Sequence, residues 1–341
     1  MVSEETRNQL NQIKKIFSLN GLNINIKGVK NTPFIKNIYI DIENFKNINK
    51  LNLIIKTLEN YFNIIIKHEF IENYLILKLE KKQSDILYFN DFIYKNNIES
   101  LNNDIIFLGI DKNENKPIFK KLSDTKSFLI GGTSGSGKSS LLHQIILSYL
   151  LLNKNNYLIL IDPKYTELNF YNKKNLKNRI ISKTAYNYND IIENLKIFEN
   201  IIFSRLKKMQ KENKRFSNDP PVLLVVDEFA QLFTNNKEKK KIVDLVSRCA
   251  AVGRASNCYM ILTTQHPTNQ NINNSIRSNL QSRICLKCEN IQQSKNIIES
   301  VDGVKLGGPG ESLLKLDNET EKRPVKQTFL NDKNIIDILR G

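Results

Sequence analysis

The sequence predicts an α/β protein: a parallel sheet with helices on both faces, preceded by a small α+β domain. Three observations predict it. In residues 121–341 short, fully apolar runs alternate with helical stretches. A strand apolar at every position is buried on both faces, as in a parallel sheet wrapped by helices. In residues 1–120 the strands instead alternate apolar and polar positions, which suits a sheet with one buried face. A glycine-rich octapeptide, residues 132–139, lies between an apolar strand and a helix. The boundary between the two domains is placed near residue 120, giving domains 1–120 and 121–341.

Residues 4–19 carry Leu10, Ile13, Ile16 and Phe17 at helical spacing, and Gly21 ends the pattern. Leu22, Ile24 and Ile26 alternate with polar residues as a strand does, and Ile38, Ile40 and Ile42 repeat this after Pro33. Residues 48–62 read as a helix, and 63–68 and 74–80 as strands. The order helix–strand–strand–helix–strand–strand fits a sheet with helices on one face. Residues 105–122 read as a hairpin that completes this first domain. The apolar runs of the second domain are 128–130, 157–161, 179–181, 222–226, 258–262 and 283–286. Segments 213–221 and 235–241 have the polar character of mobile loops.

A chain of 341 residues, 40% hydrophobic and 25% charged, can build a sizeable core, which excludes wholesale disorder. No apolar run reaches the roughly 18–20 residues that span a bilayer. The longest, 141–152, is interrupted by His143, Gln144 and Ser148. The acidic N-terminus does not resemble a secretory signal, and four cysteines suit a reduced, cytoplasmic protein better than a disulfide scaffold. The net charge is +16, of which residues 121–341 carry +13. A basic second domain implies a polyanionic partner such as nucleic acid. Only ten of the 51 basic residues are arginine, yet Arg248, Arg254, Arg277 and Arg283 fall within 36 residues. In a lysine-rich chain such a cluster suggests positions that need the planar guanidinium fork.

The octapeptide Gly132-Thr-Ser-Gly-Ser-Gly-Lys138-Ser139 fits G-x(4)-G-K-[ST] and stands between strand and helix, where a phosphate loop must stand. Its glycines let successive backbone N–H groups turn toward a phosphate, and the helix N-terminus adds partial positive charge. Gly132, Thr133, Ser134, Gly135, Ser136, Gly137, Lys138, Ser139 and Ser140 are therefore the candidate ATP-binding residues. Lys138 would reach the β- and γ-phosphates, and Ser139 would ligate Mg²⁺. A second strand, 222–226, delivers Asp227 and Glu228. Asp227 would hold Mg²⁺, and Glu228 would act as general base toward the attacking water. A third strand ends in Thr263-Thr264-Gln265-His266-Pro267, where Gln265 is the candidate sensor of the γ-phosphate. Asp162-Pro163-Lys164 ends a fourth strand and is a weaker candidate. Cys285-x-x-Cys288 lacks a second ligand pair of zinc spacing, so it reads as core thiols.

These segments in this order resemble the FtsK/SpoIIIE family of DNA-pumping ATPases, within the HerA/FtsK superfamily. Ile161-Asp-Pro-Lys-Tyr-Thr-Glu-Leu168 resembles the family's IDPK…EL segment, and Val226-Asp-Glu-Phe-Ala-Gln-Leu232 its VDEFADL strand. Gly253-Arg254-Ala-Ser-Asn, Leu262-Thr-Thr-Gln-His-Pro267, Ile276-Arg-Ser-Asn-Leu-Gln-Ser-Arg283-Ile and Gly307-Gly-Pro-Gly-Glu-Ser-Leu-Leu314 resemble further family stretches. The resemblance covers about residues 100–341 and is looser before that. It implies a RecA-like P-loop NTPase fold, a homo-hexameric ring around double-stranded DNA, and ATP bound between subunits. It also implies an arginine donated by the neighbour, for which Arg254 and Arg283 both qualify. The family's membrane helices and winged-helix domain have no counterpart in these residues, so membrane anchoring and DNA loading would fall to partner proteins. The implied activity is ATP-driven translocation of double-stranded DNA, serving plasmid or transposon transfer, plasmid maintenance, or chromosome or phage DNA movement. Lys207, Lys208, Lys211 and Lys214 are candidate phosphate contacts. The competing expectation is a protein-export ATPase of the type VII secretion kind, which shares these motifs.

Overall fold

The computed structural model describes residues 4–340 except 42–47, 82–85, 91, 93–103, 154, 173–175, 177, 234–235, 269–271, 273 and 318. Its contacts divide the chain into two compact units, Met1–Ile86 and Leu87–Gly341.

The first unit contains α1 (Glu4–Leu19), β1 (Asn25–Asn31), β2 (Ile35–Asp41), α2 (Ile48–Phe62), β3 (Ile66–Ile71) and β4 (Tyr74–Glu80). Its strands form an antiparallel sheet in the order β1-β2-β4-β3. Ile13, Phe17, Leu51, Ile54 and Leu58 of the helices share a core with Ile38, Ile40, Leu75, Leu77 and Leu79 of the sheet. Leu22 is not the start of the first strand. Gly21 adopts φ +76°, Gly21 N–H bonds Ser18 O at 2.9 Å, and Leu22 N–H bonds Phe17 O at 3.0 Å. These two hydrogen bonds close the C-terminus of α1, and Leu22 is the apolar residue that accompanies such a cap.

The second unit continues with β5 (Ile105–Asp111), β6 (Lys116–Lys121), α3 (Leu122–Thr125), β7 (Phe128–Gly131), α4 (Lys138–Leu152), β8 (Tyr157–Ile161), α5 (Tyr188–Lys211) and β9 (Val222–Val226). It ends with α6 (Asn236–Val252), β10 (Cys258–Thr264), α7 (Asn274–Asn279), β11 (Ser282–Leu286), α8 (Ile291–Ile298), β12 (Glu311–Lys315), β13 (Arg323–Lys326) and α9 (Asp332–Ile338). One sheet of nine strands runs β6-β5-β13-β12-β11-β7-β10-β9-β8. The five strands from β11 to β8 are parallel, and every residue of β7, β9, β10 and β11 is buried. This is the RecA-like P-loop arrangement, in which β10 lies between the phosphate-loop strand β7 and the acidic strand β9.

The sheet is mixed. The hairpin β5–β6 joins it through β13, which pairs antiparallel with β5. The compact units therefore part between residues 86 and 87, not near residue 120. The physical reason is burial: β5 is buried at all seven positions and is too apolar to edge a half-exposed sheet. Helix α4 covers it. Gln144 Nε2 donates to Phe107 O at 3.2 Å, and Ser148 Oγ accepts from Phe107 N at 2.9 Å. Two of the three polar residues that interrupt the apolar run 141–152, Gln144 and Ser148, thus bond to the neighbouring strand inside the core. Among the described residues no helix is long and apolar enough to cross a membrane.

Two other expectations change. Residues 179–181 form only an isolated bridge, Ile180 to Leu158, because Arg179 donates to Leu150 O and Asn153 O at 2.7 Å each and closes the end of α4. Residues 236–241 lie on α6 rather than in a loop. Segment 213–221 lacks regular structure but is tethered: Ser217 N–H bonds Ala255 O at 2.8 Å, and Lys208 pairs with Asp219 at 2.8 Å.

Candidate active site

Residues 132–139 leave β7 and enter α4 as a closed loop. Gly135 and Gly137 adopt φ +74° and +95°, a region open to glycine and costly for other residues. Residues at or beside the ends of three strands hold the loop. Gly132 N–H bonds Thr264 O at 3.3 Å, Thr133 N–H bonds Lys287 O at 2.9 Å, and Gly310 N–H bonds Ser136 O at 2.8 Å. A Cβ on Gly137 would stand 2.7 Å from Gly310 N. Gly310 therefore clamps the phosphate loop, a role that its residue type alone does not reveal. Gly137→Ala is expected to weaken ATP binding about 10- to 100-fold, since such local strain costs about 1–3 kcal/mol. Titration with a fluorescent ATP analogue checks this.

The register of the sheet brings the two acids to the loop. Val226 lies opposite Leu262, and Thr264 lies opposite Gly131. Asp227, Thr263 and Lys138 consequently converge. Thr263 Oγ1 donates to Asp227 Oδ1 at 2.8 Å, and Lys138 Nζ lies 3.3 Å from the same oxygen and 3.5 Å from Thr263 Oγ1. Lys138 and Asp227 are both buried. Glu228, 1% exposed, sits one step further along the edge. Its carboxylate accepts from Thr264 Oγ1 at 3.0 Å, from Gln265 N at 3.0 Å to either oxygen, and from Lys164 Nζ at 3.2 Å. Glu228 also adopts φ +50°. A non-glycine residue held in this region is strained, and such strain concentrates at functional sites.

Lys164 is brought there by Asp162, which accepts from three backbone N–H groups: Lys164 at 3.2 Å, and Glu167 and Leu168 at 3.0 Å each. Asp162 thus folds the loop after β8. The same fold carries Glu167 to the start of α4. Its carboxylate pairs with His143 Nε2 at 3.5 Å, and His143 Nδ1 bonds the Tyr171 hydroxyl at 2.8 Å. The bond to His143, with a second to Ser139, holds the Glu167 carboxyl below the usual carboxylate range against the opposing effect of burial.

The expected nucleotide ligands fit this geometry. Ser136 Oγ is buried in the phosphate loop with no hydrogen-bond partner, as a phosphate-facing hydroxyl would be. Both bonds to Asp227 fall on Oδ1, which leaves Oδ2 for a cation. Among the described residues no group of three or more His, Cys, Asp or Glu is placed to hold a metal. Magnesium in phosphate sites needs only one or two protein oxygens beside the phosphates, here Ser139 and Asp227. Ser134 and Gly135 are exposed at the loop tip. Ser140 is turned away, its hydroxyl donating to Leu330 O at 3.5 Å.

The two candidate arginines separate. Arg283 is 5% exposed. Its guanidinium donates to Leu280 O at 3.2 Å, Ile297 O at 3.0 Å and Arg277 O at 2.9 Å, and pairs with Glu299 at 3.3 Å. It clasps α7 and α8 to β11 and does not project as a finger would. Arg254 is exposed on the turn that enters β10. Gly253 is required in that turn, because a Cβ there would stand 2.6 Å from Cys258 O and 2.7 Å from Cys249 O. Of the candidate DNA contacts, Lys208 and Lys214 are paired with Asp219 and Glu212 at 2.8 Å each. The four cysteines are free and buried.

A family model described as Novel STAND NTPase 1 matches residues 104–299, more than half of the chain. The chain belongs to that family. The chain is also similar to DNA translocases FtsK. That of Halalkalibacterium halodurans is 28% identical over 255 residues, covering 68% of this chain and 31% of its own. That of Staphylococcus aureus is 27% identical over 245 residues, covering 65% and 30%. The chain thus spans about a third of the length of these relatives. Among solved structures, the pCW3 conjugation coupling protein TcpA with ATPγS superposes with a TM-score of 0.66 at 17% identity, over 98% of this chain and 99% of that one. The type VII secretion ATPase EccC of Thermomonospora curvata gives 0.61 at 16% identity, over 75% and 34%. These two share the fold. The chain is a P-loop NTPase.

Sequence reasoning placed Lys138, Asp227 and Glu228 at one edge, and the structure brings them together. It assigned no role to Thr263, Glu167, His143 or Gly310. Strand order could have found Thr263: once β10 is known to lie between β7 and β9, its last residues must face both the loop and the acids.

Proposed function

We propose that this chain is an ATP-hydrolysing motor that moves double-stranded DNA, working as a homo-hexameric ring with Arg254 of each subunit reaching the ATP site of the next. The observation that carries the reading is the intact set of Lys138, Asp227, Thr263 and Glu228 around a closed phosphate loop. Kinship with DNA translocases FtsK, and the fold shared with a conjugation coupling protein, support DNA as the substrate. The +13 charge of residues 121–341 agrees. Transfer or maintenance of a plasmid or transposon is the process we favour.

In this reading residues Gly132 to Ser139, Lys138 among them, grip the phosphates of ATP, while Ser139 and Asp227 would hold Mg²⁺, which when bound would supply charge neutralisation at the transferred phosphoryl group. Glu228 takes a proton from water as the water oxygen bonds to the γ-phosphorus and the bond to the bridging oxygen of ADP breaks. Thr263 keeps Asp227 and Lys138 in register, and Gln265 reports on the γ-phosphate.

The test is ATP hydrolysis by the purified chain alone, with linear duplex and with single strand. Stimulation by duplex above single strand is expected. A rate indifferent to every nucleic acid would overturn the reading and favour the protein-export alternative, whose fold EccC represents.

A further inference from the structure

While the bond from Lys164 stands, Glu228 is not free to act as the base proposed above. A carboxylate takes a proton through a free lone pair. Here Oε1 accepts from Thr264 Oγ1 and Gln265 N at 3.0 Å each, and Oε2 accepts from Gln265 N at 3.0 Å and Lys164 Nζ at 3.2 Å. Three of these bonds come from residues of β10 or its immediate end, and these fix the orientation of the carboxylate. The fourth differs in kind. Lys164 stands on a loop of its own after β8, its side chain is 25% exposed, and its ammonium can leave for solvent without disturbing the sheet. While the ammonium is bonded to Oε2, it competes for the lone pair that would receive the proton from water.

We infer that Lys164 is a positioning residue that latches the catalytic glutamate, and that hydrolysis requires the Lys164–Glu228 pair to open. The inference rests on the proposed role of Glu228 as general base. The loop is built for a lysine that moves while its backbone stays. Asp162 holds the N–H groups of Lys164, Glu167 and Leu168, so the backbone keeps its path whatever the Lys164 side chain does. The latch keeps a strained, buried glutamate from hydrolysing ATP idly, and stimulation by duplex acts by drawing the pair apart.

The experiment compares Lys164→Gln and Lys164→Arg with the wild type, measuring kcat and KM for ATP with and without linear duplex. Because Asp162 holds the loop through backbone groups, Lys164→Gln is expected to melt as the wild type does. Its DNA-free kcat should rise about fivefold, the worth of a partly exposed ion pair, with KM unchanged. Stimulation by duplex should shrink by the same factor, and Lys164→Arg should behave as the wild type. In Lys164→Gln/Glu228→Gln the gain should vanish, because it passes through the glutamate. A DNA-free rate that is unchanged or lower in Lys164→Gln overturns the latch, and a fall with and without duplex would make Lys164 a phosphate contact instead. If the wild type is not stimulated by duplex, the DNA-motor reading fails while the DNA-free rates still decide the latch. If Lys164→Gln does not fold, Lys164→Met read against Lys164→Arg makes the same comparison.

Discussion

Glu228→Gln is expected to lower kcat for ATP about 10²- to 10⁴-fold, the usual contribution of a positioned general base, while ATP still binds. The substitution keeps the size of the side chain and the acceptor for Gln265 N–H. It removes the proton acceptor and the charge that meets Lys164. Binding survives because the phosphate contacts lie on other elements: the loop is pinned by Thr264 O, Lys287 O and Gly310 N–H, none of which involves the Glu228 side chain. Fluorescent-nucleotide titration and single-turnover hydrolysis separate the two effects. Equal loss of binding and turnover would mean that Glu228 holds the site together rather than doing chemistry. Asp227→Asn contrasts with it. Asp227 is bonded to Lys138 and Thr263 beside the loop, so that variant should weaken binding as well as turnover.

Strand identity was legible in the sequence because buried parallel strands are apolar throughout, and 157–161 and 222–226 coincide with β8 and β9. The helices 4–19 and 48–62 were equally legible from their apolar spacing. Strand order was not, because it depends on long-range pairing that no local pattern records. The hairpin read at 105–122 is grouped with the first domain in the sequence for that reason: the partner of β5, β13, lies some two hundred residues later. The phosphate loop and Asp227-Glu228 were legible because their chemistry needs fixed residue types at fixed spacing. The partners of those residues were not. Lys164 meets Glu228 across 64 positions and Lys138 meets Asp227 across 89. Arg283 shows the converse. Its type and motif suggested catalysis, yet the carbonyls of Leu280, Ile297 and Arg277 take up its donors. A guanidinium fork serves helix ends as well as it serves phosphate.

Arg254→Ala is expected to lower the duplex-stimulated rate about 10³- to 10⁵-fold, the range for arginines that complete a phosphoryl-transfer site, with ATP binding and melting unchanged. Arg254 precedes β10, whose seven residues carry the chain about 20 Å to the edge where Thr263 and Thr264 meet the acids. It lies at the far end of its own sheet from its own phosphate loop, so it acts on the site of another subunit or on none. The turn that displays it is rigid: Gly253 N–H bonds Cys249 O at 2.8 Å and Cys258 N–H bonds Gly253 O at 2.9 Å. Mixing inactive Arg254→Ala with inactive Glu228→Gln then gives a decisive readout. In a mixed assembly some interfaces join an intact Arg254 to an intact Glu228, and activity returns. No return of activity in assemblies shown to be mixed would refute action between subunits. Arg283→Ala separates from both. It strips the donors from three backbone carbonyls in a buried site, should cost on the order of 3 kcal/mol of stability, and should lower the melting temperature before any effect on hydrolysis is measured.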